Sequence, residues 1–519
     1  MWRPLLVAIA AALILPVLIG YIIPKYEFTT VLALVLGIPF SWSIARWPRW
    51  GLLCIIAFMS TILAPEFLTF IVTSNSIYYY QEAMLFLILG GSLVYWSRNH
   101  QSTGIFERLY MTPQSVAVTI FFAVVVIKSL TIMVERHFAL STISSMYNFN
   151  RAITFYLLFI PVLLVLDSRK KLRWMVGVMF VLGSITMFRV LLELLFPQWT
   201  IWTHVSFSEP LALETPMVDL AVQRLRAPGG TVELLCFWTG MMSIILQPWA
   251  WRRLAFYIPF TLLMLTGMVL EFNRSYILPM AGLLLLTAFL NRKYVRSKLI
   301  SVLVVAVVAV AILTLVTGAM QKYVEAAVVR YGSALSSQSL ESQSLYGRNV
   351  EQDYALQAIS GSPIFGIGLD QFYRPPVPNL LDNLRWYIHD SYLWFWVYFG
   401  IIGLVSFLAV IGSAIVRSII YWKRIADPLL SSALLGCGFT LTTLLAANIA
   451  APKFYDYATV PVVALMVGLV EAIILWERQR TRQGDRRRSR RIFHLDRRLG
   501  EADRRKSRPA ALPGDHASQ

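Results

Sequence analysis

The stretch that decides the fold is HDSYLWFWVYFGIIGLVSFLAVIGSAIV, residues 389–416. After His389 and Asp390 it continues for 26 residues without a charged side chain. A helix needs about 20 apolar residues to cross the hydrocarbon core of a bilayer, and backbone groups in lipid must be hydrogen-bonded internally. The stretch therefore predicts a transmembrane helix that a histidine and an aspartate precede.

The composition of the whole chain indicates many such helices. Of its 519 residues, 57% are hydrophobic and 14% are charged, and the mean hydropathy is +0.63. A soluble domain cannot bury so much apolar surface, so the predicted fold class is an all-α polytopic membrane protein. The apolar N-terminus is long enough to span, and no small-residue cleavage site follows it, so we interpret it as the first span rather than a signal peptide.

The hydropathy pattern predicts about 12–14 transmembrane helices, because each apolar run of about 20 residues is counted as one span. The fourteen runs lie near 4–23, 28–45, 51–73, 82–97, 114–133, 152–167, 174–195, 233–248, 254–271, 275–291, 298–317, 391–417, 429–447 and 458–476. The three cysteines all lie within apolar runs, which is typical of small packing residues rather than of disulfides or metal ligands.

Loop charges predict the orientation of these spans. Short loops on one side carry clusters of Lys and Arg, and the positive-inside rule makes that side cytoplasmic. Both termini are then cytoplasmic, and two longer loops, 196–231 and 318–390, are exoplasmic. The second loop contains a predicted helix with Ser344 near its start and Gly361 and Pro363 at its end. We therefore expect a helical cap on the exoplasmic face.

Residues 477–519 are predicted to form a cytoplasmic tail beyond a transmembrane domain of residues 1–476. The tail has fourteen Lys or Arg and six Asp or Glu, so it supplies +8 of the net charge of +18. Its few apolar residues cannot form a core, and its basic residues favour contact with anionic membrane lipids. We interpret the positive net charge as a sign of how the chain is oriented in a bilayer, and we expect no nucleic-acid partner.

Three side chains on the predicted exoplasmic face are candidates for chemistry. They are Arg274 in a very short turn, Arg348 on the predicted cap helix, and His389. Arginine pairs bidentately with phosphate and keeps its charge, whereas an imidazole can accept a proton from a hydroxyl near neutral pH. The set fits a lipid-linked diphosphate, although each residue alone also fits an interfacial or solvated position.

A weaker candidate for anion binding lies before the eighth apolar run. Arg224 and Arg226 precede Gly229 and Gly230, and the N-terminus of a helix receives anions, but two glycines before a helix are common. The chain has no P-loop, G-x-S-x-G, H-E-x-x-H or Asp-x-Asp motif. The missing Asp-x-Asp pair favours a metal-independent reaction with no cofactor, and a dispersed metal site stays open.

Three segments together resemble the O-antigen ligase and O-antigen polymerase superfamily of bacterial envelopes. NRSYILPMAGLLLL (273–286) is similar to the arginine–serine turn that enters a helix in this family. GRNVEQDYALQAISGSPIFGIGLDQF (347–372) resembles the stretch before its catalytic histidine, and HDSYLWFWVYFGIIGLVSF (389–407) resembles the histidine motif. The family usually has Asn where this chain has Asp390, and an aspartate there is expected to accept a hydrogen bond from the imidazole.

The resemblance implies an integral-membrane glycosyltransferase of the bacterial inner membrane. It implies inverting transfer of glycan from an undecaprenyl-diphosphate-linked donor to an acceptor hydroxyl, in cell-envelope polysaccharide biosynthesis. Arg274 and Arg348 would bind the diphosphate with Arg226 as a helper, and His389 would deprotonate or orient the acceptor, supported by Asp390.

The resemblance leaves the acceptor open. In an O-antigen ligase the acceptor is the lipid A core of lipopolysaccharide. In an exopolysaccharide or O-antigen polymerase it is another glycan, and a chain-length regulator is then a candidate partner. Two other classes stay open as well. A transporter of lipid-linked oligosaccharides would need charged residues deep in several spans, where Lys128 is the main example here. A non-catalytic scaffold would stay active without His389.

Overall fold

The structure is a computed structural model that describes residues 39, 41–60, 77–99, 112–137, 152–195, 210–211, 222–223, 229–247, 251–270, 274–290, 342–369, 371–376, 385–449 and 451–482. The predicted runs near 4–23 and 298–317, most of the run near 28–45, Arg226, and the tail beyond Arg482 lie outside the described residues.

The described residues are almost entirely helical, which confirms the all-α polytopic class. The helices are α1 (Pro48–Ser60), α2 (Ile77–Asn99), α3 (Pro113–Glu135), α4 (Phe159–Val165, after a 3₁₀ turn at Phe155–Leu158), α5 (Arg169–Leu195), α6 (Gly230–Leu246), α7 (Trp251–Leu270), α8 (Arg274–Leu290), α9 (Ser342–Gly361), α10 (Ser391–Tyr421), α11 (Pro428–Ala447) and α12 (Val460–Arg482). One short antiparallel pair, β1 (Pro210–Leu211) and β2 (Val222–Gln223), lies in the first of the two predicted exoplasmic loops.

Five helices in the described part of the chain are long and apolar enough to cross a membrane. They are α3, residues Arg169–Phe188 of α5, α10 with the turn that follows it, α11 and α12. Helix α3 shows why lipid must surround the bundle, because its apolar side chains Ile127 and Val134 are 64% and 60% exposed. A soluble protein would not leave such a face in water.

Helices α6, α11 and α12 are the most deeply buried of the longer helices among the described residues. Helix α6 approaches α11 closely at Gly436, where an added Cβ would lie 2.9 Å from the backbone of Thr239. Small residues at helix interfaces allow such contacts in membranes. Trp238 of α6 donates a hydrogen bond to Thr443 of α11 (3.1 Å). This tight packing fixes the position of α11 relative to α6.

One end of the bundle gathers basic residues that loop charges predict to be cytoplasmic. Arg169 at the start of α5 donates to Asp427, the N-cap of α11 (2.5 Å). Arg417 of α10 pairs with the buried Glu471 of α12 (2.7 Å). Burial raises the pKa of Asp427, but the Arg169 hydrogen bond and the other contacts outweigh it and hold the pKa below its ordinary value. His389 lies at the opposite end of α10.

Helix α10 is broken at Gly400, and a loop fills the break. Gly400 has φ +68° and ψ −174°, a conformation that favours glycine. Residues 362–368, here called the Gly366 loop, dock there. Ile367 N–H donates to Val397 O (2.8 Å), and Ile401 N–H donates to Pro363 O (3.0 Å). Irregular backbone within a membrane bundle is tolerated where protein satisfies its hydrogen bonds, as it does here.

Candidate active site

His389 and a buried glutamate form the centre of the candidate site. The Nδ1 atom of His389 lies 2.7 Å from Oε2 of Glu351, and the backbone N–H of His389 donates to the same oxygen (3.2 Å). The Glu351 side chain is 9% exposed and the His389 side chain is 37% exposed. The carboxylate thus holds the imidazole from the buried side while the rest of the ring stays accessible.

This contact determines which ring nitrogen can act on a substrate. A carboxylate only accepts hydrogen bonds. The hydrogen atom shared with Glu351 is therefore bonded to Nδ1 of His389. In the neutral imidazole Nε2 is then the unprotonated nitrogen, with no hydrogen-bond partner among the described residues. A histidine whose ring is oriented in this way by a carboxylate is suited to act as a general base.

Asp390 has a different role from the one the sequence suggests. Its Oδ1 atom accepts hydrogen bonds from the backbone N–H groups of Tyr392 (2.7 Å) and Leu393 (3.1 Å) and so caps α10. The expectation that Asp390 accepts a hydrogen bond from the imidazole is corrected, because Glu351 takes that place. Burial raises the pKa of Asp390, against the opposing effect of the two backbone hydrogen bonds. Asn and Asp cap helices equally well, so either residue fits this position.

Aromatic rings hold the segment before α10. Tyr387 lies edge-on to the His389 ring, with centroids 4.9 Å apart. The hydroxyl of Tyr455 contacts both backbone groups of Ile388, accepting from its N–H at 3.2 Å and donating to its carbonyl. Trp394 stacks on Tyr455 at 4.4 Å. Burial raises the pKa of Tyr455 well above its usual range, so its hydroxyl remains a neutral donor.

The loop between α11 and α12 closes the same end of the bundle. Ser391 Oγ and Phe454 N–H both donate to Asn448 Oδ1, at 2.5 and 2.9 Å. In the same loop, Lys453 Nζ lies 5.5 Å from the ring centroid of Tyr276 in α8. The hydroxyl of Tyr276 is 3.1 Å from Thr231 Oγ1 in α6. This loop therefore links the start of α10 to the starts of α6 and α8.

Of the two predicted diphosphate-binding arginines, Arg348 is the one whose side chain the structure describes. It lies on α9 three residues before Glu351, a spacing that places both on one face of the helix. Its Nε atom is buried without a hydrogen-bond partner among the described residues. Those residues show no ion pair between Arg348 and Glu351, whose carboxylate is engaged by His389. A half-buried guanidinium thus lies one helical turn from the histidine–glutamate pair.

Arg274 is the first residue of α8, and its side chain and all of Arg226 lie outside the described residues. The backbone of Arg274 nevertheless begins a helix whose next residues contact α6 and the α11–α12 loop. The start of α8 and the segment that carries His389 therefore both contact the α11–α12 loop. This agrees with the prediction that Arg274 and His389 lie on the same face of the membrane. Whether the three side chains share one cavity stays a prediction.

Sequence reasoning missed three charged residues near this end. Glu351 was not among the candidates named from the sequence, and the signal that would have found it is its one-turn spacing from Arg348. Arg374 is 3% exposed and hydrogen-bonds to Tyr373, which donates to the Tyr387 carbonyl (3.0 Å). Lys453 follows a proline in the segment between the predicted runs near 429–447 and 458–476.

The fold and this site define a multi-pass helical membrane protein with a carboxylate-oriented histidine at one end of its bundle. Residues 259–408 match the family described as O-antigen ligase. This match confirms the resemblance to the O-antigen ligase and polymerase superfamily. The match includes Arg274, Arg348, Glu351 and His389. The comparison with curated proteins found no match.

Proposed function

We propose that the protein transfers glycan from an undecaprenyl-diphosphate-linked donor to an acceptor hydroxyl at the periplasmic face of the inner membrane. The single observation that carries the proposal is the hydrogen bond between His389 Nδ1 and the buried Glu351 (2.7 Å), within a domain of the O-antigen ligase family. Glycan processing is the family's general activity, and this pair supplies the base that such a transfer uses.

In the proposed reaction His389 Nε2 accepts the proton of the acceptor hydroxyl. The acceptor oxygen forms a bond to the anomeric carbon from the face opposite the diphosphate. The bond from that carbon to the diphosphate oxygen breaks, the electron pair leaves with the diphosphate, and the configuration inverts. Glu351 stabilises the imidazolium that forms, because a buried carboxylate favours a charged neighbour.

Arginines would neutralise the departing diphosphate. Arg348 is one turn from Glu351 and half-buried, so its guanidinium can face a phosphate beside the imidazole. Arg274 is proposed as the second arginine and Arg226 as a helper. Diphosphate is a good leaving group, so positioning and charge stabilisation account for most of the catalysis.

The test is reconstitution in proteoliposomes with a synthetic undecaprenyl-diphosphate oligosaccharide and the two acceptor classes. His389→Ala is expected to lower transfer by about 10²- to 10⁴-fold, the usual contribution of a general base. Asp353→Asn, an exposed position two residues after Glu351, is the control and should transfer normally. Unchanged transfer by His389→Ala contradicts the proposal, and movement of the donor across the bilayer without transfer indicates a transporter.

The acceptor decides between ligase and polymerase. We propose the ligase-like reaction, in which lipid A core gains the glycan in one step and its mass rises by that of the transferred glycosyl group, while undecaprenyl diphosphate is released. A polymerase instead produces a ladder of glycan repeats from donor alone. Mass spectrometry of products made with each acceptor separates the two.

The reaction is further proposed to need no metal ion. Among the described residues, no three His, Cys, Asp or Glu side chains form a group able to hold one. Transfer in excess EDTA at the untreated rate supports the proposal. Loss of transfer in EDTA that Mg²⁺ or Mn²⁺ restores overturns it.

A further inference from the structure

Lys128 is a charged residue within the membrane-spanning helix α3, about two turns before the end of the helix at Glu135. It is half-buried, and its Nζ atom donates a hydrogen bond to the carbonyl oxygen of Gly366 (3.0 Å). An ionisable residue within a span is costly and is usually retained for a function that involves its partner. Its partner here is backbone of the Gly366 loop, which belongs to the segment between α9 and α10.

The Gly366 carbonyl lies where three helices meet. Besides Lys128 of α3, it accepts from Ser362 Oγ directly after α9 (3.0 Å). The neighbouring N–H of Ile367 is bonded to Val397 O, just before the break in α10. At Gly366, φ is +69° and an added Cβ would lie 2.6 Å from Val397 O. The carbonyl is thus held by donors from α3 and the end of α9, while its loop is bound to α10.

This junction is connected to the active-site pair by two helical segments. One runs from Glu351 to the end of α9 at Gly361, and the other runs from His389 through α10 to Gly400. Each is about ten residues, or roughly 15 Å at 1.5 Å per residue. The two segments are joined at one end by the Glu351–His389 contact and at the other by the Gly366 loop. The position of the loop therefore sets the register of one helix against the other.

We propose that Lys128 is a positioning residue for the Glu351–His389 pair. Its bond to the Gly366 carbonyl holds the loop in the break of α10, and the loop keeps α9 at the height where the Glu351 carboxylate meets the imidazole. Lys128 does not touch substrate. The consequence for transfer rests on the proposed function, whereas the consequence for helix register does not.

The register is measured by cross-linking. Glu351→Cys and His389→Cys are combined in a chain whose Cys54, Cys236 and Cys437 are replaced by alanine, and the rate of reaction with a short bismaleimide is followed. Adding Lys128→Met is expected to slow the cross-link roughly ten- to hundredfold, the change that losing a hydrogen bond from a charged donor produces. Lys128→Arg retains a charged donor and should restore much of the rate. Ile127→Met, an adjacent lipid-facing site, is the matched control and should leave it unchanged.

Transfer is then measured with the pair Glu351 and His389 intact. Lys128→Met is expected to lose transfer by a similar factor, with rescue by Lys128→Arg. If Lys128→Met cross-links at the same rate as the Glu351→Cys, His389→Cys chain that keeps Lys128, the proposal is overturned, whatever the effect on transfer. If Lys128→Met does not accumulate in membranes, Lys128→Gln is measured in its place and judged by the same comparison. If the chain with Lys128, Glu351 and His389 all intact shows no transfer, that result contradicts the proposed function but not the proposed role of Lys128 in helix register.

Discussion

At the residue scale, the imidazole of His389 depends on a carboxylate 38 residues earlier in the chain. Glu351 is buried, and a buried carboxylate is stable as an anion only when it is hydrogen-bonded or paired. The two donors of His389 meet that need and at the same time fix the ring. A structural requirement and a chemical requirement are therefore satisfied by one contact.

Glu351→Gln tests this contact. The amide keeps the size and can still accept from Nδ1, but it removes the negative charge that stabilises the imidazolium. A charge-assisted hydrogen bond exceeds a neutral one by about 1 kcal/mol, so we expect a roughly fivefold loss of kcat in proteoliposome transfer. Asp353→Asn removes an exposed carboxylate from the same helix as a control. Wild-type kcat in Glu351→Gln would contradict the assigned role.

Asp390→Asn tests the helix cap. Asparagine preserves an oxygen for the N–H groups of Tyr392 and Leu393, so transfer and thermal stability in detergent should both stay near wild type. Asp390→Ala should lower the stability by about 1 kcal/mol, because two backbone donors lose their acceptor. If Asp390→Asn abolished transfer while the melting temperature stayed unchanged, Asp390 would have a chemical role beyond the cap.

Arg348→Lys tests direct phosphate contact. Lysine keeps the charge but replaces a planar fork of donors by a point charge. We expect kcat/KM for the donor to fall by an amount equivalent to about 1–3 kcal/mol. Near-wild-type values would count against a bidentate contact with the diphosphate.

These residues also show where sequence reasoning ends. His389 and Arg348 were identifiable because a histidine at a span boundary and an arginine in a predicted exoplasmic loop are both unusual. The hydrogen-bond partner of His389 was not identifiable, because Asp390 also carries a carboxylate and its position next to His389 in the sequence favours Asp390 as the partner. Helix capping pulls the Asp390 side chain toward α10, and only the packing of α9 on α10 brings Glu351 to the ring.

At the scale of elements, the helices follow the apolar runs closely. The run predicted near 429–447 is α11 at Pro428–Ala447, and the predicted cap helix ending at Gly361 is α9. Lipid explains the agreement, since it requires each apolar run to satisfy its own backbone. The break at Gly400 was not predictable in this way. It is caused by the Gly366 loop, which lies more than 30 residues earlier in the sequence and packs into the break.

Gly400→Ala tests the break. Positive φ costs an L-residue about 1–2 kcal/mol, and an added Cβ would also overlap the carbonyl of Ile364. We expect a lower melting temperature in detergent and reduced transfer, since the loop must shift. Gly412→Ala is the control in the same helix, where an added Cβ meets nothing within 4 Å. It should be neutral or stabilising by about 0.5–1 kcal/mol. Equal stability of both variants would show that the loop does not need the glycine.

At the scale of the whole molecule, the candidate site and the basic cluster that includes Arg169 and Arg417 lie at opposite ends of the bundle. Helix α10 begins beside His389 and ends near Arg417, and α12 returns from the α11–α12 loop to the same basic end. The positive-inside rule predicts that the basic end is cytoplasmic. The tail would then lie across the bilayer from the site.

Deleting residues 483–519 tests this separation. Helix α12 extends to Arg482, and Arg478 donates to the Tyr421 hydroxyl of α10 (2.7 Å), so the truncated chain keeps its last contacts and basic residues. We expect unchanged transfer at matched membrane levels. A shorter chain ending at Trp476 also loses Glu477, which accepts from the backbone of Ala426 (3.3 Å), and should accumulate less. If the longer truncated chain inserts normally and transfers nothing, the tail must act on the site from the other side, through a partner or a regulatory contact.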